Sequence, residues 1–180
     1  TAIFSLFDAI VLRELPVREP GRLVTLSFAM ASNRPNNYMT YPHFARMRDE
    51  NQTLDGLLAW MRVARTSVGF QGHEEVASSL RVSGEYYSTL ALQPALGRLL
   101  TPQDDHAGSV AAVLSHGYWQ RRFGGSPVIG ASISVNQVPF TIVGVEPVGA
   151  AKMSASIAAG HPVTLASVSS IADGLMPVRA

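Results

Sequence analysis

Three polar side chains stand in a row in the stretch "GRLLTPQDDH" (97–106): Asp104, Asp105 and His106. Two carboxylates and an imidazole are metal-ligand types, and an Asp–His pair also serves general acid–base chemistry. Other candidates are His43, His73 beside Glu74 and Glu75, Ser115 followed by His116, and His161. A metal site needs several ligands aimed at one point, as when two histidines sit four apart on a helix. No histidine here has a ligand-type residue at such a spacing. Ser115-His116 places a hydroxyl and a base side by side in sequence, but a nucleophile and its base meet through geometry, not adjacency. There is no G-x-S-x-G elbow. Ser115 is more simply the N-cap of the helix that follows. The glycine-rich "FGGSPVIG" (123–130) lacks the lysine and spacing of a phosphate loop. It reads as a helix end, with Gly124-Gly125 as the terminus, Pro127 as the stop, and Arg121 and Arg122 complementing the dipole of the last turn. The expectation is a chain with no catalytic, cofactor-binding or metal residues, hence not an enzyme, in which 104–106 is a polar loop in water or paired locally.

Composition narrows the classes further. The chain has 180 residues, 47% hydrophobic and 15% charged, enough for one core-bearing domain or two small ones. A net charge of +1 without basic blocks argues against nucleic acid as a partner. With no cysteine, disulfides and thiolate metal sites are excluded. The opening run "TAIFSLFDAIVL" places apolar residues at helical spacing over about a dozen residues, short of the roughly 20 needed to span a bilayer. Two readings stay open on the residues alone: an amphipathic helix packed on the domain, or the outer end of a membrane helix.

The elements that must hold these residues follow from periodicity and turn chemistry. "LPVREPG" (15–21) is a proline-punctuated linker, and "RLVTLSF" (22–28) alternates as a strand with one buried face. Thr40 is the expected N-cap of a helix through "YPHFARMRDEN", with Phe44 and Met47 facing inward. Residues 57–70 and 75–83 form an antiparallel pair around a turn at 71–74. Ser83 is the expected cap of a short helix bearing Tyr86, Tyr87 and Leu90. "SVAAVLS" (109–115) is a strand buried on both faces, and the helix after it sets Trp119 and Phe123 on one side. The order from 22 to 115 is β-α-β-β-α-β, the split pattern of an α+β fold with helices on one face of a sheet. "ASISVNQVPFTIVGV" (131–145) is a following hairpin that opens a second small subdomain. Its tip is Asn136-Gln137, where Gln137 must adopt a positive φ or the loop must open. Residues 149–180 have no sustained periodicity, and no element is placed there.

Four stretches, in order, carry a resemblance: "TAIFSLFDAIVLRELPVREPGRLV", "VSGEYYSTLALQPALGRLLTPQDD", "VLSHGYWQRRFGGSPVIG" and "ISVNQVPFTIVGV". Over about residues 1–148 the chain resembles the periplasmic core domain of MacB-like bacterial ABC transporter permeases, of the acidobacterial type. The resemblance implies that 1–15 is the periplasmic end of a truncated transmembrane helix and that 16–148 is the core domain. Its porter-like part is about 22–115, its second subdomain begins about 125–148, and 149–180 is a divergent or truncated tail. It also implies a non-catalytic role at the bacterial inner membrane, with this domain in the periplasm. There it couples ATP-driven membrane-helix movement to export or other extracytoplasmic work. The implied partners are an ABC ATPase subunit or domain, a second permease copy as dimer, a periplasmic adaptor or lipoprotein, and the membrane itself. In such permeases a Gly-Arg and acidic pattern recurs at the place of 97–106 without catalytic duty. The alternative reading is a soluble extracytoplasmic module that binds proteins or peptides.

Overall fold

The computed structural model describes residues 39–150 in full, Leu23 and Leu26 beside them, and the backbone alone at Tyr38 and in four short strands. Those strands are β1 (Phe28–Ala29), β2 (Pro35–Asn36), β10 (Thr164–Val168) and β11 (Leu175–Arg179). The apolar opening run 1–15, and all but fragments of the strand expected at 22–28, lie outside the described residues.

After β3 (Tyr38–Thr40), helix α1 (Tyr41–Asp49) begins at Thr40 with Pro42 in its first turn. Proline is tolerated there because the first helical amides have no partner within the helix. The Thr40 side chain makes no bond to the helix backbone and instead meets His43 Nδ1 at 3.1 Å. The long arms β4 (Leu58–Phe70) and β5 (His73–Val82) form the expected antiparallel pair. One extra residue in β4, between Val63 and Thr66, makes a bulge in that ladder. A bulge re-aims the side chains that follow it. Before it, Trp60 and Leu58 pack with Val82 and Leu80 in one cluster; after it, Val68 and Ala77 belong to another.

The short helix α2 (Tyr86–Thr89) is followed by β6 (Leu96–Gly97), a 3-10 turn at Pro102–Asp104 and β7 (Ala111–Leu114). All four residues of β7 are buried. Ala111 and Val113 enter the first cluster while Ala112 and Leu114 enter the second, so the strand has no wet face and reads as an unbroken apolar run. Helix α3 (His116–Phe123) follows, capped by Ser115, whose Oγ accepts from the Tyr118 amide at 3.2 Å. It ends at Gly124 in the left-handed conformation, as the glycine pair implied. The hairpin β8 (Ser132–Val135) and β9 (Val138–Val145) closes over Asn136 and Gln137, both at positive φ, 49° and 69°. Asn136 fastens the tip to β4: its amide donates to the Ser67 carbonyl and its Oδ1 accepts from the Ser67 amide.

The result is the α+β class expected from the element order, with a mostly antiparallel sheet. The hairpin joins the same sheet, β8 against β4 and β9 parallel to β7. Successive pairings β4–β5–β10–β7–β9–β8–β4 trace a closed circuit. Its apolar interior is the second cluster, built on Val68, Leu114, Ile133, Phe140 and Ile142, with Tyr118 of α3 against it. A third cluster, Met39, Phe44, Leu57 and Ala59, seats α1 on the start of β4.

Two expectations need correction. Strand β10 lies in the tail where no element was placed, and β11 lies there as well. Strand β10 sits between β5 and β7, parallel to the first and antiparallel to the second, the slot that the split pattern reserves for its first strand. Ser83 is not the cap of α2. Glu85 holds that position, while Ser83 Oγ accepts from the Ala59 amide at 3.1 Å, tying the end of β5 to β4.

Candidate functional site

The residues that opened the sequence reading come together as a clamp. Arg98 Nη1 and Nη2 donate to the two carboxylate oxygens of Asp104 at 2.7 and 2.8 Å, a bidentate pair. Asp104 Oδ2 also accepts from the amide and hydroxyl of Thr101, each at 2.9 Å. The Thr101-Pro102 turn thus carries a capping box. Four donated bonds lower the Asp104 pKa, the Arg98 guanidinium being the largest cause and burial opposing it. Arg98 is correspondingly raised by the same partner.

Asp105 reaches the other way. Its Oδ2 accepts from the Gly84 amide at 2.9 Å, in the turn between β5 and α2. It also lies beside the Tyr41 hydroxyl, whose pKa is pushed up to about 12, first by burial and then by Asp105. Tyr41 begins α1, so two adjacent acids join the loop to itself and to two other elements. Gly84 is required by proximity: a Cβ there would collide with Pro102 Cα and the Thr101 carbonyl. On the far side of the loop, Gly97 (φ 66°) pairs with Gly144 of β9, where a Cβ would run into the Arg98 carbonyl.

This arrangement engages both carboxylate oxygens of Asp104 and one of Asp105 in bonds within the protein. Asp104 is buried rather than solvated, which corrects the picture of acids in water and supports local pairing. His106 is exposed, with Nδ1 at 3.0 Å from the Ala107 carbonyl, and is not drawn to either acid. No three His, Asp or Glu side chains converge as a metal site among the described residues. Ser115 Oγ is engaged by the Tyr118 amide, and His116 stacks edge-on against Trp119 at 5.5 Å. His73, Glu74 and Glu75 are exposed at the start of β5. Glu75 accepts from the Tyr118 hydroxyl at 2.6 Å and faces Arg122 at 3.4 Å, which fixes α3 on the strand. Burial, then Glu75, raises the Tyr118 pKa. His43 is held by Thr40. His161 lies outside the described residues.

Sequence reasoning missed Tyr41 and Gly84 as members of the clamp, because nothing local marks a contact 21 residues distant. It also missed Glu146, an acid at the end of an apolar strand that is 2% exposed. The lone charge closing "TIVGVE" is the signal that could have found it.

Residues 1–173 match the family described as MacB-like periplasmic core domain. The chain belongs to that family. The match runs past residue 148, where the resemblance drawn from the motifs ends. This MacB-like domain is similar in fold to the periplasmic region of MacB from Actinobacillus actinomycetemcomitans, with a TM-score of 0.64 at 14% identity, covering 87% of this chain and 71% of that one. It is similar also to the extracellular domain of the noncanonic ABC-type transporter YknZ from Gram-positive bacteria, with a TM-score of 0.57 at 13% identity, covering 87% and 80%. A domain of a putative permease protein from Porphyromonas gingivalis gives a TM-score of 0.57 at 9% identity, covering 72% and 58%. No curated protein shows significant similarity. Among the described residues, no helix is long and apolar enough to cross a membrane.

Proposed function

We propose that this MacB-like domain is the non-catalytic periplasmic body of an ABC transporter permease. It couples ATP-driven movement of membrane helices to export or to mechanical work outside the membrane. The observation that carries this reading is the family match across residues 1–173. The clamp supports it from the physical side. A body that transmits displacement must resist internal shear, and charge-assisted bonds between separate elements supply that resistance. Here Arg98, Asp104 and Asp105 tie α1, the β5–α2 turn and the loop before β7 together.

In this reading, residues 1–15 form the periplasmic end of a membrane helix and 16–148 the core domain. The porter-like part is about 22–115, the second subdomain opens about 125–148, and the tail is 149–180. The partners are an ABC ATPase subunit or domain, a second permease copy, and a periplasmic adaptor or lipoprotein. These 180 residues contain no cysteine, so a cysteine introduced here is a unique label once any others in the parent permease are replaced. Gln71, exposed at the β4–β5 tip, suits this purpose. Gln71→Cys in the membrane-embedded permease of intact cells is expected to react with a membrane-impermeant maleimide. Reaction only after the cells are opened would overturn the reading.

A further inference from the structure

Among the described residues Glu146 is the most deeply buried acid. It follows β9 directly, and its amide donates to the Leu114 carbonyl of β7 at 2.8 Å. Its Oε1 accepts from the Tyr87 hydroxyl at 2.8 Å, while Oε2 has no hydrogen-bond partner among the described residues.

Among the described residues no ion pair reaches it. The strands β6, β7 and β9 and the residues 147–150 contain no titratable or charged side chain. Helix α2 offers Tyr86 and Tyr87, both phenols. Glu85 before α2 is bound by Arg48 at 3.0 Å, Arg98 after β6 is taken up by Asp104, and His116 after β7 packs on Trp119. An ion held by one hydrogen bond in an apolar setting is costly, and the neutral acid is the cheaper occupant. Burial accordingly raises the Glu146 pKa from 4.5 to about 7, with the Tyr87 bond pulling the other way.

The position matters because of what shares the cluster. Tyr87, Leu90, Leu92, Val113 and Ala150 pack together there, and Leu23, from the segment entering the domain, packs against them. We propose that Glu146 is a proton-operated latch on this cluster. With its proton the carboxyl stays inside and keeps α2 and Leu23 packed in the cluster with Val113 of β7; without it that packing loosens. The latch belongs to the domain itself and does not depend on the transporter reading.

The sign follows from linkage. The folded state holds the proton more tightly than the unfolded chain, so the contribution is full below 4.5 and is lost as pH rises through about 7. The test compares unfolding of the full chain with that of Glu146→Gln, which keeps the Tyr87 acceptor but cannot ionise. The folded-to-unfolded ratio of the wild type, relative to the variant, is expected to fall about three-hundredfold across that window and then level off. The amides of Leu90 and Leu92, bonded to the Tyr86 and Tyr87 carbonyls, are expected to exchange faster above neutrality in the wild type only. If the variant does not fold, the carbon-13 titration of the Glu146 carboxyl in the wild type still decides. A midpoint near 7 supports the latch. A midpoint near the ordinary 4.5, or parallel pH profiles for the two proteins, overturns it.

Discussion

Asp104 takes four hydrogen bonds in a space where its neighbour Asp105 reaches a different element altogether. Removing it leaves the Thr101 amide without its acceptor and Arg98 with the Leu99 carbonyl alone. Asp104→Ala is expected to cost about 2 kcal/mol in denaturant unfolding: roughly 1 for the lost cap, and a share of the charged bonds discounted because Arg98 is half exposed. Because the folded pKa of Asp104 lies below its ordinary 3.8, its contribution is present above that value and lost as pH falls through the folded one. The variant's deficit should therefore shrink on acidification. The types and order of these residues were legible in the sequence, which left open whether the acids sit in water or pair locally. The clamp's reach was not, since Gly84 and Tyr41 are brought in by the β4–β5 hairpin and α1 rather than by any local pattern. Gln137 gives an opposite prediction. A left-handed glutamine costs about 1–2 kcal/mol, and a glycine's extra freedom in the unfolded chain returns only part of it. Gln137→Gly should therefore raise the midpoint of thermal unfolding slightly, by roughly 0.5–1 kcal/mol of stability.

Elements with a strong periodicity, or a chemical stop at each end, were read from the sequence with little error. Helix α3 is the clearest, with Ser115 to start it and Gly124 to end it. Ser115→Ala is expected to lose about 1 kcal/mol, measurable as a lower unfolding midpoint. The β4–β5 hairpin and the all-apolar β7 were legible for the same reason, because burial on one face or two leaves its own pattern. Strand β10 was not. "TLASV" mixes small polar and apolar residues, and its place is decided by hydrogen bonds to β5 and β7, far away in sequence. The misassigned Ser83 is the same lesson at smaller scale: serine before a helix suggests a cap, but here the Ala59 amide competes for its hydroxyl and wins. The contact of β6 with β9 depends on the absence of a side chain at Gly144, where a Cβ would strike the Arg98 carbonyl. Gly144→Ala should therefore separate these strands and expose the Arg98 amide, bonded to the Val143 carbonyl at 2.9 Å, to faster hydrogen exchange.

At the scale of the whole molecule, a hydrogen-bonded strand circuit around one apolar cluster, clamped to its helices by buried and half-buried charges, is a body suited to moving as a unit. Its membership of the MacB-like periplasmic core domain family places such a body in a permease context. The central claim is that the domain transmits motion without catalysing a reaction. Its most direct test labels two positions in the permease bound to its ATPase: Gln71 at the β4–β5 tip in each of two copies, and Gln71 with exposed Gln103 within one copy. Distances are then measured by spin-label spectroscopy with and without a nonhydrolysable nucleotide. The account predicts that the distance between copies changes with nucleotide while the distance within one copy does not. A between-copy distance indifferent to nucleotide would contradict it, as would a change confined to the interior of one domain.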